Sequence, residues 1–169
     1  MGDYAEELSK NAAIVQAIGP IDITAGANGT PICMKHWDHC TVSIQTGVWT
    51  GGNCAISLTQ DSSVTPTGDV IALPFTSYKT NDAAPGSNTL VDTVCASTFN
   101  VDTAASTYVI EVDADSLSDA LGAATGNPFD CLRVVAGNPQ QADFISIEYI
   151  LTQGRYTGAT ATIKDATID

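Results

Sequence analysis

Residues 36–60, HWDHCTVSIQTGVWTGGNCAISLTQ, restrict what this chain can fold into more than any other stretch of it. Cys40, Val42 and Ile44 alternate with Thr41, Ser43 and Gln45, and further on Cys54, Ile56 and Leu58 alternate with Ala55, Ser57 and Thr59. A period of two sends alternate side chains to opposite faces, so each run is predicted to be a strand buried on one face. Gly47, Gly51, Gly52 and Asn53 tolerate the backbone conformations of a reversal, which predicts that the two strands pair as an antiparallel hairpin. Trp49 lies in that loop and is expected to fold back as a lid over the open edge of the core.

The rest of the chain repeats the pattern. Val-, Ile- and Thr-rich runs at 70–75, 90–101, 108–113, 130–136 and 143–153 are separated by Gly, Asn, Asp and Pro, and only 15% of residues are charged. That favours an all-β domain, an antiparallel β-sandwich or jelly roll, over alternating βα units. Pro74 places the first of these runs at a sheet edge or end. With 169 residues, one domain can bury enough apolar surface to fold without disulfides. Residues 3–18 are predicted to be helical, with Tyr4, Leu8, Val15 and Ile18 at steps near three and four, and Gly19-Pro20 ends the helix. This segment either packs on its own domain or reaches a neighbouring subunit as an arm. The expected divisions are an arm at 1–20, a sandwich at 21–156 and a loosely ordered tail at 157–169. Residues 78–88 read as an exposed loop, and 115–121 as a short helix capped by Asp115 or Ser116.

Six basic against nineteen acidic residues give a formal charge of −13, which repels phosphate backbones and anionic membrane surfaces. Neither nucleic acid nor membrane is therefore an expected partner. The opening MGDYAEELSK has neither the basic start nor the apolar centre of a secretion signal, so synthesis in a cytoplasm is expected. The cysteines, 33, 40, 54, 95 and 131, are odd in number and do not suggest a disulfide framework; Cys40 and Cys54 fall on the apolar phase and read as buried thiols.

The sharpest local pattern is Cys33, His36, His39 and Cys40, two thiols and two imidazoles within eight residues. These are zinc-type ligands, but a single short segment leaves no loop to wrap an ion, and His39 and Cys40 on a strand point to opposite faces. The reading is a pair of turn histidines with no metal bound, and no cofactor is expected. Asp113, Asp115 and Asp119 lack the glycine and terminal glutamate of a calcium loop, and capping of the short helix accounts for them. Neither a G-x-S-x-G elbow nor a Walker sequence is present, so no enzymatic activity is expected.

Taken together, HWDHCTVSIQTGVWTGGNCAISLTQ, VIALPF, STYVIEVDADSL, FDCLRVVAG and ISIEYILTQGRY resemble small tailed-phage virion structural proteins that serve as capsid decoration or cement proteins. The resemblance spans residues 34–156. It implies a protein of the outer capsid surface that bridges major capsid subunits, commonly as a trimer. It carries no catalytic residues across, and the histidine–cysteine cluster departs from its pattern. The expected capsid contacts are Tyr4, Leu8, Val15 and Ile18, with Trp37 and Trp49 as a second region. The alternative is a glycan-binding sandwich of a phage tail or cell surface that stacks sugars on Trp37, Trp49 and Tyr78.

Overall fold

The computed structural model describes residues 11–65, 68–81, 89–119, 121–122 and 124–155. Among them twelve strands follow one another: β1 (Ala13–Asp22), β2 (Ala27–Asn28), β3 (Ile32–Cys33), β4 (Trp37–Thr46), β5 (Cys54–Asp61), β6 (Ile71–Leu73), β7 (Ser77–Asn81), β8 (Val91–Val94), β9 (Thr98–Val101), β10 (Thr107–Asp113), β11 (Cys131–Ala136) and β12 (Phe144–Gly154). They form two antiparallel sheets packed face to face, an all-β sandwich as the alternation predicts. The first sheet runs β1-β12-β4-β10-β7-β8. The second runs β2-β11-β5-β6, with β3 also on β11 and β9 also on β5.

The core lies between the sheets. Val42, Ile44, Ile110, Ile147 and Tyr149 of the first sheet meet Ile56, Leu58, Leu132 and Val134 of the second, all buried. Phe99 of β9 joins the layers, stacking on Tyr78 of β7 at 3.9 Å between ring centroids and on Tyr108 of β10 at 5.6 Å. Such pairs add directional contact to the area they bury. The Tyr149 hydroxyl crosses between sheets and accepts a hydrogen bond from the Val134 amide at 2.7 Å.

Several expectations are corrected. The runs 40–45 and 54–59 are strands with the apolar faces expected, yet they do not pair. β4 lies between β12 and β10 in one sheet, and β5 between β11 and β6 in the other. The seven residues 47–53 are long enough to carry the chain across the roughly 10 Å between sheets, so the two apolar faces oppose each other across the core. Residues 13–18 are strand where helix was expected, because β1 pairs with β12 from Ala13↔Leu151 to Asp22↔Phe144. A helix there would leave one edge of the eleven-residue β12 without partners, and the β-branched Ile14, Val15, Ile18 and Ile21 suit a pleated surface. The boundary placed at residue 20 therefore falls inside a strand of the sandwich. Residues 3–10 of the helix expectation, the tail at 157–169 and residues 82–88 lie outside the described residues.

The single run expected at 90–101 is two strands. Ser97 adopts φ +65° and turns the chain from β8 in the first sheet into β9 in the second, held by its amide on the Phe75 carbonyl. The loop expected from residue 78 begins with strand, since Tyr78–Asn81 belong to β7. The short helix expected at 115–121 is a single 3₁₀ turn, Ala114–Ser116; Asp113 occupies the N-cap position without a side-chain cap bond.

Candidate functional site

The compact cysteine–histidine motif is separated by the fold. On β4, Cys40 turns into the core with no exposed surface, whereas His39 faces outward on the neighbouring phase. Burial, with a smaller contribution from the Glu111 charge, pushes the Cys40 thiol well above its ordinary pKa. Cys33, on β3, pairs across the ladder with Cys131 of β11. The four residues do not converge on one centre, and the expected pair of turn histidines is corrected: His36 lies in the turn ahead of β4, but His39 is on the strand itself, because it pairs with Asp113 of β10.

His39 has a different set of neighbours, which the sequence spacing does not reveal. Antiparallel pairing of β4 with β10 sets His39 against Asp113 and Thr41 against Glu111. Nδ1 lies 2.7 Å from Asp113 Oδ1 and Nε2 lies 2.8 Å from Glu111 Oε2, while the Thr41 hydroxyl donates to the same Glu111 oxygen at 2.8 Å. Ionised carboxylates only accept, so satisfying both contacts requires a proton on each ring nitrogen. Desolvation pulls the imidazole pKa down, but the hydrogen bonds to Asp113 and Glu111 and their charges outweigh it, and the net shift is upward. An imidazolium with both nitrogens donating has no lone pair for a metal or for proton abstraction. The group is a charged clamp between β4 and β10.

The sign of the pH effect follows. A raised folded-state pKa means that this clamp contributes fully below the ordinary histidine pKa near 6.5 and fades as pH rises through the folded value. The stability advantage of the native chain over His39→Gln should therefore shrink on going from mildly acidic to mildly alkaline solution. Proton NMR titration of the His39 ring should give a pKa above 6.5. A midpoint at or below that value would show that the clamp does not form.

At one end of the sandwich an apolar patch is exposed. Phe144 begins β12 opposite Asp22 of β1, and its amide donates to the Val48 carbonyl at 3.0 Å while its carbonyl accepts from the Gly47 amide at 2.9 Å. Val48 (67% exposed) and Phe144 (44%) are thereby held side by side in solvent, whereas Ile21 (42%), paired with the inward-facing Ile145, is exposed on the other face of the sheet. Gly47 is part of the design, since a Cβ there would come within 3.2 Å of the Phe144 Cβ. The loop beneath is held from inside by Asp143, which has no exposed surface. Its carboxylate accepts from the Thr50 amide, from the Thr50 hydroxyl at 3.0 Å and from the Gly52 amide at 3.1 Å. The Trp49 indole N–H donates to the Gly52 carbonyl at 2.7 Å and its ring packs against the core, the lid position expected of it. Further apolar side chains stand out on the opposite edge of the same sheet, where Val91 and Val94 of β8 are 56% and 87% exposed.

These residues are not the ones expected to make contacts. Ile18 and Trp37 are core residues at 4% exposure, and Val15 is half-buried against the core. Tyr4 and Leu8 lie outside the described residues. Of the proposed sugar platforms, Trp37 is buried, Trp49 is the lid and Tyr78 has one ring face covered by Phe99. Asp113, considered for calcium, is committed to His39. The sequence does carry a signal for the patch: Phe144 is an aromatic on the polar phase of a strand whose core phase is Ile145, Ile147, Tyr149 and Leu151. No protein-family model, curated protein or solved structure matches this chain.

Proposed function

We propose that this protein acts by attachment, as a virion decoration or cement protein that binds the outer surface of an assembled phage head, bridges major capsid subunits and makes or breaks no bond. The observation that carries the reading is the small apolar patch of Val48 and Phe144, exposed side by side at a strand end and braced by a buried carboxylate. Exposed apolar surface on a rigid frame is characteristic of an interaction site. The formal charge of −13 suits the outside of a shell better than a compartment filled with nucleic acid. A ligand that binds only the assembled state stabilises it by mass action, and many copies on one particle multiply a modest affinity. A homotrimer, as in the proteins the sequence resembles, would present three such patches.

The deletion that first suggests itself, residues 1–18, is a poor test because it removes half of β1 and with it part of the sheet. Charge substitution on the patch leaves the frame intact. Val48→Asp with Phe144→Asp should reduce co-sedimentation with heads stripped of accessory proteins at least tenfold, with an unchanged circular dichroism spectrum. Decoration at native occupancy by the doubly substituted chain would remove the patch from the function. Failure of the native protein to bind such heads would remove the function itself.

A further inference from the structure

Away from the patch, on the outer side of the second sheet, three strands bring one chemistry-bearing row together. Cys33 of β3 pairs with Cys131 of β11, and Cys131 pairs with Asp61 of β5. Leu132 and Gln60 take the inward phase between them, so the row faces away from the main core. It is nevertheless covered: Cys33, Cys131 and Asp61 are 3%, 1% and 7% exposed. Asp130 reaches the same place from the residue before β11, and the Cys131 thiol lies 3.3 Å from its Oδ1. The two sulfurs and a carboxylate oxygen of Asp130 all fall within 4.8 Å of one another.

A second observation points the same way. Asp61 accepts from the Ser62 amide at 2.7 Å through Oδ1, but its Oδ2 is buried and has no hydrogen-bond partner among the described residues. A buried carboxylate oxygen left bare is costly, and such a group in a native structure usually marks an ion or a water. Asp61 and Cys131 line one small cavity of about 10 Å³, together with Thr59, Val70 and Arg133. That is space for a single water-sized occupant.

We propose that Cys33, Cys131 and Asp130 form a structural site for a divalent cation of the zinc class, with one water in the cavity beside Asp61, hydrogen-bonded to that carboxylate, supplying the fourth position. Two thiolates and carboxylate oxygen select against calcium and magnesium, which take oxygen alone, and the oxygen donors disfavour copper(I) relative to zinc. Binding exchanges protons for metal: both thiols lose a proton to solvent as two S–metal bonds form, with no change of oxidation state. Arg133, at the same cavity, offsets part of the negative charge that remains. The site ties β3 and the segment ahead of β11 to the sheet. It also draws its thiols from positions 33 and 131, two separated segments, which is how structural zinc sites are usually built and is what the compact motif at 33–40 could not provide.

The test uses the full chain, reduced and washed with chelator, and cobalt(II) as a spectroscopic stand-in for zinc. One equivalent should produce a sulfur-to-cobalt charge-transfer band and tetrahedral d–d bands, which zinc then abolishes stoichiometrically. Zinc should raise the thermal midpoint of the native chain. Cys131→Ser, Cys33→Ser and Asp130→Asn should each weaken or abolish the bands, whereas Cys40→Ser and Cys54→Ser should retain them. Because Cys131→Ser removes a buried thiol and could unfold the chain, Asp130→Asn, at a half-buried position, provides the independent readout. The absence of a charge-transfer band at saturating cobalt, or its persistence in both Cys33→Ser and Asp130→Asn, overturns the site. So does a native mass two hydrogens lighter that rejects metal, which would identify a Cys33–Cys131 disulfide instead.

Discussion

Replacing Asp143 by alanine should lower the unfolding free energy by about 2 kcal/mol, because it strands the buried Gly52 amide, at about 1–3 kcal/mol, while the part-buried Thr50 amide is left within reach of water. The side chain is wholly buried and serves the Thr50 and Gly52 amides together, so no other described group stands ready to replace it. Part of the loss is returned, since a buried carboxylate carries its own desolvation cost. Asp143→Asn retains one accepting oxygen and should lose less than alanine does. Urea unfolding followed by circular dichroism measures both, with a lower midpoint and an unchanged slope expected for a native state that keeps its compactness. The substitution also loosens the platform on which Val48 sits, so head binding should weaken although Asp143 touches nothing outside the chain. Native stability in Asp143→Ala would mean that the loop is held by Trp49 and Pro139 packing alone. The neighbouring Gly52 permits this arrangement by having no side chain: a Cβ there would lie 2.6 Å from the Pro139 carbonyl oxygen and 2.7 Å from Asp143 Oδ2.

Tyr149 carries the second large effect, and two substitutions divide it. Tyr149→Phe keeps the ring and deletes the hydroxyl, leaving the Val134 amide unpaired between the sheets, at a cost of about 1–3 kcal/mol. That amide falls in the interruption between β2 and β3 along β11, where the ladder offers no carbonyl and the chain passes so closely that a Cβ on Gly29 would sit 2.7 Å from Val134 Cγ1. Tyr149→Ala removes the ring as well. The cavity then adds the cost usual for a buried aromatic, about 3–5 kcal/mol. Denaturant titration should rank native above phenylalanine above alanine, and the Val134 amide should exchange faster with solvent in the phenylalanine variant. Equal stability of native and phenylalanine forms would assign the contribution to packing alone. Burial also pushes the phenol pKa up, and the largest opposing influence is the bond from Val134. A group raised in the folded state stabilises below its ordinary value, near 10 for tyrosine, and that stability is lost as pH climbs toward the folded value.

The inward faces were legible from the chain itself. Cys40, Val42, Ile44, Cys54, Ile56 and Leu58 are all buried, as their alternation requires, and burial pushes the Cys54 thiol up to about 11. Pro74 marks the end of β6, an edge strand of the second sheet. The N-terminal segment misleads because steps of three and four also fit a strand with bulges, and β1 has two shifts of register against β12. The cysteine–histidine motif misleads for a related reason, since neighbours in sequence on a strand face opposite ways.

What the sequence determined alone is which side chains turn inward, because the alternation of a strand is a local property of its backbone. Which strands lie side by side was left to the tertiary structure. The His39 clamp, the Cys33–Cys131–Asp61 row and the Phe144 patch all arise from such pairings, between residues up to about 120 positions apart. The physical reason is that a run of alternating residues buries the same face whichever neighbour it takes. Only the reach of the loops and the need to satisfy every strand edge choose between neighbours.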